Sequence, residues 1–244
     1  MAVFSDAHSN IQALRNVLAD IREQNPDAVY CLGDLVGYGP RPNEVVSLLK
    51  TLEVPTVMGN YDDGVGYERG DCGCAYTTTQ EKLDGQASID WTTRAVTPEN
   101  KEYLRGLEKS ITVEAGSRRL LLVHGSPRRI NEYLYEDRPE ASLRRMLEPL
   151  QVDALVCGHT HKPYHRVVDG VHVINDGSVG KPKDGDPRAC YALITVAEEI
   201  GVEFRRVDYP VQSVADEIRG VGLPAAFAEA LVTGGVDGSQ VIRL

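Results

Sequence analysis

The sequence predicts an α/β fold: a four-layer αββα sandwich of two mixed sheets, the first of them mostly parallel, with helices on both outer faces. Three observations predict it. Short apolar runs alternate with helix-period segments near the start of the chain. Strand-like runs joined by turn signals follow in the second half. Asp, His and Asn collect where the apolar runs end.

Taken in order, Ala2–Ser5 is a short apolar run, and Ile11, Leu14, Val17, Leu18 and Ile21 then share one helical face. Pro26 stops that helix, and Ala28–Leu32 reads as a buried strand. Asn43–Leu52 is helical, with Pro42 near its start and Pro55 beyond its end. Val57-Met58 predicts a third strand, which completes a β-α-β-α-β unit. Residues 62–79, rich in Gly, Asp and Tyr, show no period and predict a long loop, a feature that is functional more often than not. Helices are expected over Gln80–Ala95, Pro98–Gly106 and Ala141–Leu150. Ile111–Ala115 and Arg119–His124 predict a hairpin, and Ala154–Cys157 a buried strand. Tyr164–Val168 and Val171–Asn175 flank Asp169-Gly170, a pair suited to a type I′ turn. Cys190–Val196 and Val202–Val207 read as strands, and Ser213–Arg219 with Pro224–Val232 as a helical tail. No repeat or linker divides the chain. The expectation is one domain over 1–244, with 209–244 a helical tail packed on it.

Composition narrows the function. The chain has 244 residues, 42% hydrophobic and 25% charged, which is ordinary globular usage. Its net charge of −10 repels long polyanions, so no long nucleic acid is expected as a partner. No apolar run is long enough to span a bilayer, and the opening residues do not read as a secretory signal, so no membrane is expected and the predicted compartment is the cytoplasm. Five cysteines at irregular spacing do not describe a disulfide framework.

The chemistry lies at the strand ends. Asp6-Ala-His8 follows the first strand, Gly33-Asp34 the second and Gly59-Asn60-Tyr61-Asp62 the third. His124-Gly125 and Gly158-His159-Thr160-His161 follow two later strands. Each alone describes a common turn. Together they hold four of the six histidines at the edge where α/β folds bind ligands. Imidazole, carboxylate and one carboxamide, without thiolate, suit Mn or Fe first, with Ni, Co or Zn also compatible. Seven such groups are too many for one tetrahedral ion and match two ions sharing a carboxylate, a clamp for in-line displacement at phosphorus.

The ordered set Asp-x-His, Gly-Asp, Gly-Asn-x-Asp, His-Gly, Gly-His-x-His resembles the calcineurin-like metallophosphoesterase superfamily. The strings Ala2–His8 and Cys31–Gly39 resemble its small bacterial and archaeal single-domain phosphodiesterases. The likeness covers residues 2–208. It implies the αββα fold, Asp6, His8 and His161 on a first metal, Asn60, His124 and His159 on a second, Asp34 bridging both, and attack on phosphorus by a metal-activated hydroxide.

One position departs from the family. Its usual Gly-Asn-His-Asp reads Gly59-Asn60-Tyr61-Asp62 here. The family His is thought to protonate the leaving oxygen. Tyr61 could donate a hydrogen bond in its place or form a pocket wall, and Asp62 could orient a neighbour. Arg128 and Arg129, just past His124, and Tyr38 and Arg41, past Asp34, are candidate phosphate or substrate contacts. His165 and His172 read as structural. Lys181 and Lys183 read as solvated or lid residues. Cys72-Gly-Cys74 reads as a pair of unpartnered loop thiols, a redox-sensitive lid or an adventitious metal contact. The expected activity is hydrolysis of a small phosphodiester or nucleotide phosphoanhydride. A phosphomonoesterase or protein phosphatase, or a scaffold that keeps the metals without turnover, are the alternatives. Oligomeric state is left open.

Overall fold

The computed structural model describes residues 1–235. The first sheet contains β1 (Ala2–Phe4), β2 (Val29–Cys31), β8 (Ala189–Val196) and β9 (Ile200–Val207), in the order β2-β1-β8-β9. The second contains β3 (Ile111–Ala115), β4 (Arg118–Leu122), β5 (Ala154–Cys157), β6 (Tyr164–Val168) and β7 (Val171–Asn175), in the order β3-β4-β5-β7-β6. Both sheets are mixed. In the first only β1 and β2 run parallel, because β8 returns antiparallel beside β1, so the expected mostly parallel sheet is corrected. In the second β5 is parallel to both β4 and β7.

Side-chain alternation sorts the core into layers. Val3, Leu32, Leu120, Leu122, Ala154, Val156, Ile174, Ala192 and Ile194 pack between the sheets. Phe4 and Tyr191 instead meet α1 (Ile11–Gln24), α2 (Pro42–Thr51), α7 (Val211–Gly220) and α8 (Ala225–Thr233). Leu155, Cys157 and Val173 meet α6 (Glu140–Leu147) on the other face. The helices start where the chain supplies caps. The Asn10 carboxamide accepts the Ala13 N–H, and α1 ends at Asn25 in the left-handed conformation. Thr78 and Glu81 form a capping box on α4 (Thr79–Ala95), and Pro98 opens α5 (Pro98–Arg105). Asp169 and Gly170 both have positive φ, as the type I′ hairpin between β6 and β7 requires.

Two expectations are corrected. Residues 56–58 form no strand: Thr56 bridges Cys31 and Val57 bridges Glu108, singly. Residues 60–66 are not loop but helix α3 (Asn60–Gly66). Periodicity missed it because its glycines are packing residues; a side chain on Gly64 would meet Asp71 and one on Gly66 would meet Leu104. The predicted tail is helical over α7 and α8; its residues 236–244 lie outside the described residues. No helix among the described residues is long and apolar enough to cross a membrane.

Candidate metal centre

The loops after β1, β2, β4 and β5 and the N-terminus of α3 converge at one edge of the sandwich. Their backbone is forced. Asp6, His8, Asp34, Tyr38, His159 and His161 all have positive φ, a region that side chains normally avoid and that clusters at functional sites. Surrounding contacts hold them there: the main-chain N–H of Asp6 donates to Gly33 O at 2.9 Å and that of His8 to Asp34 O at 3.0 Å. Gly33 and Gly59 permit the closest approach, since a side chain on Gly59 would fall on the main chain and carboxylate of Asp34.

Two groups result: Asp6, His8 and His161, and Asp34, His124 and His159, each with ligand atoms within 4.8 Å of one another and every residue buried. The Asp34 Oδ2 atom lies between them, 3.6 Å from His8 Nε2 and 3.4 Å from His124 Nε2. Asn60 joins the second group, its carboxamide oxygen 3.0 Å from His124 Nε2. The seven residues expected from sequence are thus brought to one place.

The imidazoles are oriented from behind. Nδ1 of His8 faces Val36 O at 3.0 Å, that of His124 faces Leu32 O at 2.8 Å, and that of His161 faces Lys181 O at 2.6 Å. A proton donated there leaves an Nε2 lone pair pointing inward. His8 and His161 then confront each other through their Nε2 atoms at 3.1 Å, an arrangement that requires a proton or cation between them. Asp6 Oδ1 and His159 Nε2 are buried without a hydrogen-bond partner. This donor set fits divalent cations, and it contains no thiolate.

Electrostatics agree. Burial, reinforced by His124 in one case and Lys183 in the other, lowers His159 and His161 to about 3, so both are neutral ligands at pH 7. Burial opposes charge on His124, but the Asp34 and Asp6 carboxylates outweigh it and raise its pKa to about 10. Burial likewise opposes ionisation of Asp6 and Asp34, yet His161 and His124 respectively hold them below the usual carboxylate range. The two carboxylates therefore demand positive charge here.

The comparisons with known proteins bear on this geometry. Residues 1–199 match the family model of the calcineurin-like phosphoesterase superfamily domain. The chain belongs to that superfamily. An uncharacterised protein of Methanocaldococcus jannaschii is 32% identical over 96% of this chain and 98% of its own length. A metallophosphoesterase from Sphaerobacter thermophilus has a similar solved structure, with a TM-score of 0.75 and 30% identity over 96% of this chain and 98% of that one. A hypothetical protein of Pyrococcus horikoshii shares the fold at a TM-score of 0.84 and 24% identity, over 98% and 99% of the two chains. The chain is thus a phosphoesterase of the metallophosphoesterase type with two candidate metal-binding groups.

Within this phosphoesterase the remaining predicted residues divide. Tyr61 is fully buried and its hydroxyl faces Ser88 Oγ at 3.4 Å, while its ring abuts His8 at 5.5 Å. Burial, with the nearby Cys72 and Cys74, raises its pKa well above the ordinary value. The phenol is thus placed as a pocket wall facing Ser88 rather than the ligand groups, and the main-chain N–H of Tyr61 donates to Asp34 Oδ1 at 2.8 Å. Asp62 is placed to orient main chain rather than a neighbouring side chain. Its carboxylate accepts the N–H groups of Asp34, Leu35 and Gly59 at 2.8, 2.9 and 2.9 Å, tying the bridging loop to the start of α3. Burial and then Asp34 raise its pKa to about 7.

Arg41 points away from the centre and pairs on the surface with Glu217 and Glu44, fastening α2 to α7, which corrects its reading as a substrate contact. Arg128 is ion-paired with Glu132, and both Arg128 and Arg129 line a cavity of about 330 Å³ with His124 and Ser126. Tyr38 does reach the site, its ring 4.9 Å from His8. His165 and His172 pair across β6 and β7 at 2.8 Å. Cys72 and Cys74 are free thiols 3.1 Å apart, and the Asn60 amide donates to Cys72 O at 3.0 Å and Cys74 Sγ at 3.3 Å.

Sequence reading passed over several residues. The Ser5 hydroxyl bridges two carboxyl groups, 2.5 Å from Asp6 and 2.7 Å from Asp176, and Asn175 donates to Gly158 O at 2.6 Å, bracing the loop that carries His159 and His161. The signal was available: Asn175-Asp176 is a further polar pair at a strand end, after β7. Lys181 and Lys183 belong to the loop capping His161 rather than to solvent. Nothing local in the sequence distinguishes them from surface lysines.

Proposed function

We propose that this protein binds two divalent transition-metal ions, Mn or Fe in preference to Ni, Co or Zn, and hydrolyses small phosphodiesters or nucleotide phosphoanhydrides in the cytoplasm. The observation that carries the binuclear reading is the position of Asp34 Oδ2, within 3.6 Å of a histidine from each ligand group. Asp6, His8 and His161 would hold one ion, and Asn60, His124 and His159 the other, with Asp34 shared between the two groups. Bound ions supply Lewis-acid charge for the phosphoryl oxygens and an acidified water. The chain's own contribution is orientation. Main-chain carbonyls fix three imidazoles, Asp62 fixes the Asp34 loop, and the buried walls exclude solvent.

Preference for diesters or anhydrides follows from position 61. The phenol faces Ser88, so no side chain there offers a proton to the leaving oxygen. General acid assistance is worth about 10²–10⁴-fold, and its absence disfavours alkyl monoesters, whose alkoxides are poor leaving groups. Purified protein loaded with Mn²⁺ should carry two ions per chain by elemental analysis and hydrolyse bis(p-nitrophenyl) phosphate faster than an alkyl phosphomonoester. One ion per chain defeats the binuclear assignment. Faster alkyl monoester turnover supports the monoesterase alternative, and two ions with no hydrolysis of either substrate supports the scaffold.

A further inference from the structure

Beside the metal centre lies a cavity of about 410 Å³, within the range of small-ligand sites, lined by none of the seven candidate metal ligands. Those walls are aromatic. Tyr133 lies on the His159 ring with centroids 4.0 Å apart, and Tyr135 stacks on Tyr133 at 5.5 Å with 9° between planes. Tyr38 abuts His8, and Phe227 of α8 packs against Tyr38 at 5.0 Å. None of these four rings is fully buried; Tyr135 is 44% exposed. Two lysine side chains enter the same space, and burial lowers the pKa of both. Lys181 Nζ sits 4.4 Å from the centre of the Tyr38 ring, and Lys183 lines the cavity next to it. Among the described residues neither has a carboxylate within salt-bridge distance, whereas most arginines of this chain are ion-paired. The rim acids Glu81 and Asp84 are held by Thr77, Thr78 and Gln80 beyond ion-pair distance of the lysines, and Glu81 acts on Lys181 only at longer range.

Flat aromatic faces recognise a flat ring, and two adjoining lysines with no ion-pair partner, whose charge burial disfavours until an anion faces them, recognise a local anion. Placed against a phosphoryl-transfer centre, the combination describes a molecule with both features covalently joined. We propose that this cavity is a nucleobase subsite, with the base lying against Tyr133, Tyr38 and Phe227 and the phosphate oxygens meeting Lys181 and Lys183. The substrate class is then a nucleotide-bearing diester or anhydride. A glycerol or alkyl ester would leave the aromatic faces uncovered. The inference rests on the phosphoesterase reading for where the phosphate goes, and the test separates the two.

Binding to the Mn²⁺-loaded protein is measured by calorimetry with AMP, ribose 5-phosphate and inorganic phosphate. AMP and ribose 5-phosphate differ only in the base. AMP is expected to bind roughly tenfold or more tightly than ribose 5-phosphate, the scale of one base stacked on an aromatic ring. Tyr133→Leu and Phe227→Leu should each shrink that ratio to about threefold or less, and Lys183→Met should weaken both ligands together. If Tyr133→Leu disturbs His159, seen as lost metal, Phe227→Leu decides, because it lies on a helix that carries no ligand. Equal affinities in the wild type, or a ratio that survives Phe227→Leu, overturn the subsite. Base-selective binding without hydrolysis of any nucleotide diester or anhydride supports the subsite and overturns the hydrolytic reading. Hydrolysis at equal kcat/KM for nucleotide and alkyl diesters overturns the subsite and leaves the hydrolase.

Discussion

The two ligand groups are nearly identical in composition and differ in what holds them. Asp6 and His8 are braced from the interior by Ser5, by the main chain at Val36 and by the ring of Tyr61, and His161 by the main chain of the half-buried Lys181. His124 is likewise held by a main-chain carbonyl, but His159 has none behind it, and Asn60 depends on the segment around Cys72 and Cys74, whose neighbours Asp71 and Gly73 are exposed. The difference teaches that a symmetric-looking pair of sites need not be equally preorganised. Orienting partners behind a ligand are worth about 10–100-fold in metal affinity. On that ground metal titration should show two steps, with the first group filling first, and a single step with two equal sites would break the comparison.

The largest effect is expected where the groups meet. Asp34→Asn removes the charge shared by both, so metal content should fall below two per chain and activity by about 10³-fold or more, roughly 4 kcal/mol of transition-state stabilisation. Retention of two ions with normal turnover would remove Asp34 from the bridge. Asn60→Ala should act on one side alone. The second titration step should weaken by about 10–100-fold while the first stays put, and equal weakening of both would erase the distinction.

Asp62→Asn tests the scaffold common to both groups. It keeps the shape but turns one acceptor oxygen into a donor facing a main-chain N–H, at a cost of about 1–3 kcal/mol. The melting temperature should drop by several degrees, since about 1 kcal/mol moves a domain of this size by roughly 2–4 °C. An unchanged melting curve would mean that Asp62 does not organise the loop. Smaller again is Cys74→Ala, which removes one of the two contacts to the Asn60 amide. About threefold weaker binding at the second step alone is the expected result. The smallest effect belongs to Tyr61→Phe, because the lost hydroxyl faces Ser88 rather than the ions. Turnover should stay within about threefold, whereas general-acid help from this phenol would make the loss 10²-fold or larger.

How much of this was legible beforehand varies by element for physical reasons. α1 could be read because a helix that buries one stripe must repeat its apolar residues, and Ile11, Leu14, Val17 and Ile21 do. The hairpin at Asp169-Gly170 could be read because few residue pairs accept two positive φ values. α3 could not: its glycines lower helix propensity, and what compensates is close packing against Asp71 and Leu104, distant partners invisible to a local pattern. The direction of β8 beside β1, and with it the mixed character of the first sheet, likewise depends on where a late segment returns.

The candidate site divides along the same line. Which residue types could bind metal was legible in the sequence, because ligand chemistry is carried by residue type, whereas bringing them together took strand ends of both sheets and the start of α3 at one edge of the sandwich. Which of the other polar residues join them was decided only by tertiary structure. Arg41 and Lys181 are both basic loop residues in sequence, yet one spends its charge on Glu217 at the surface and the other lies against Tyr38 inside the cleft. Tyr61 follows a ligand directly in sequence, but the first turn of α3 directs its phenol into the core. Residue type sets what a side chain can do. The direction in which the folded backbone aims it, and the partners it finds there, decide whether it does so at the site.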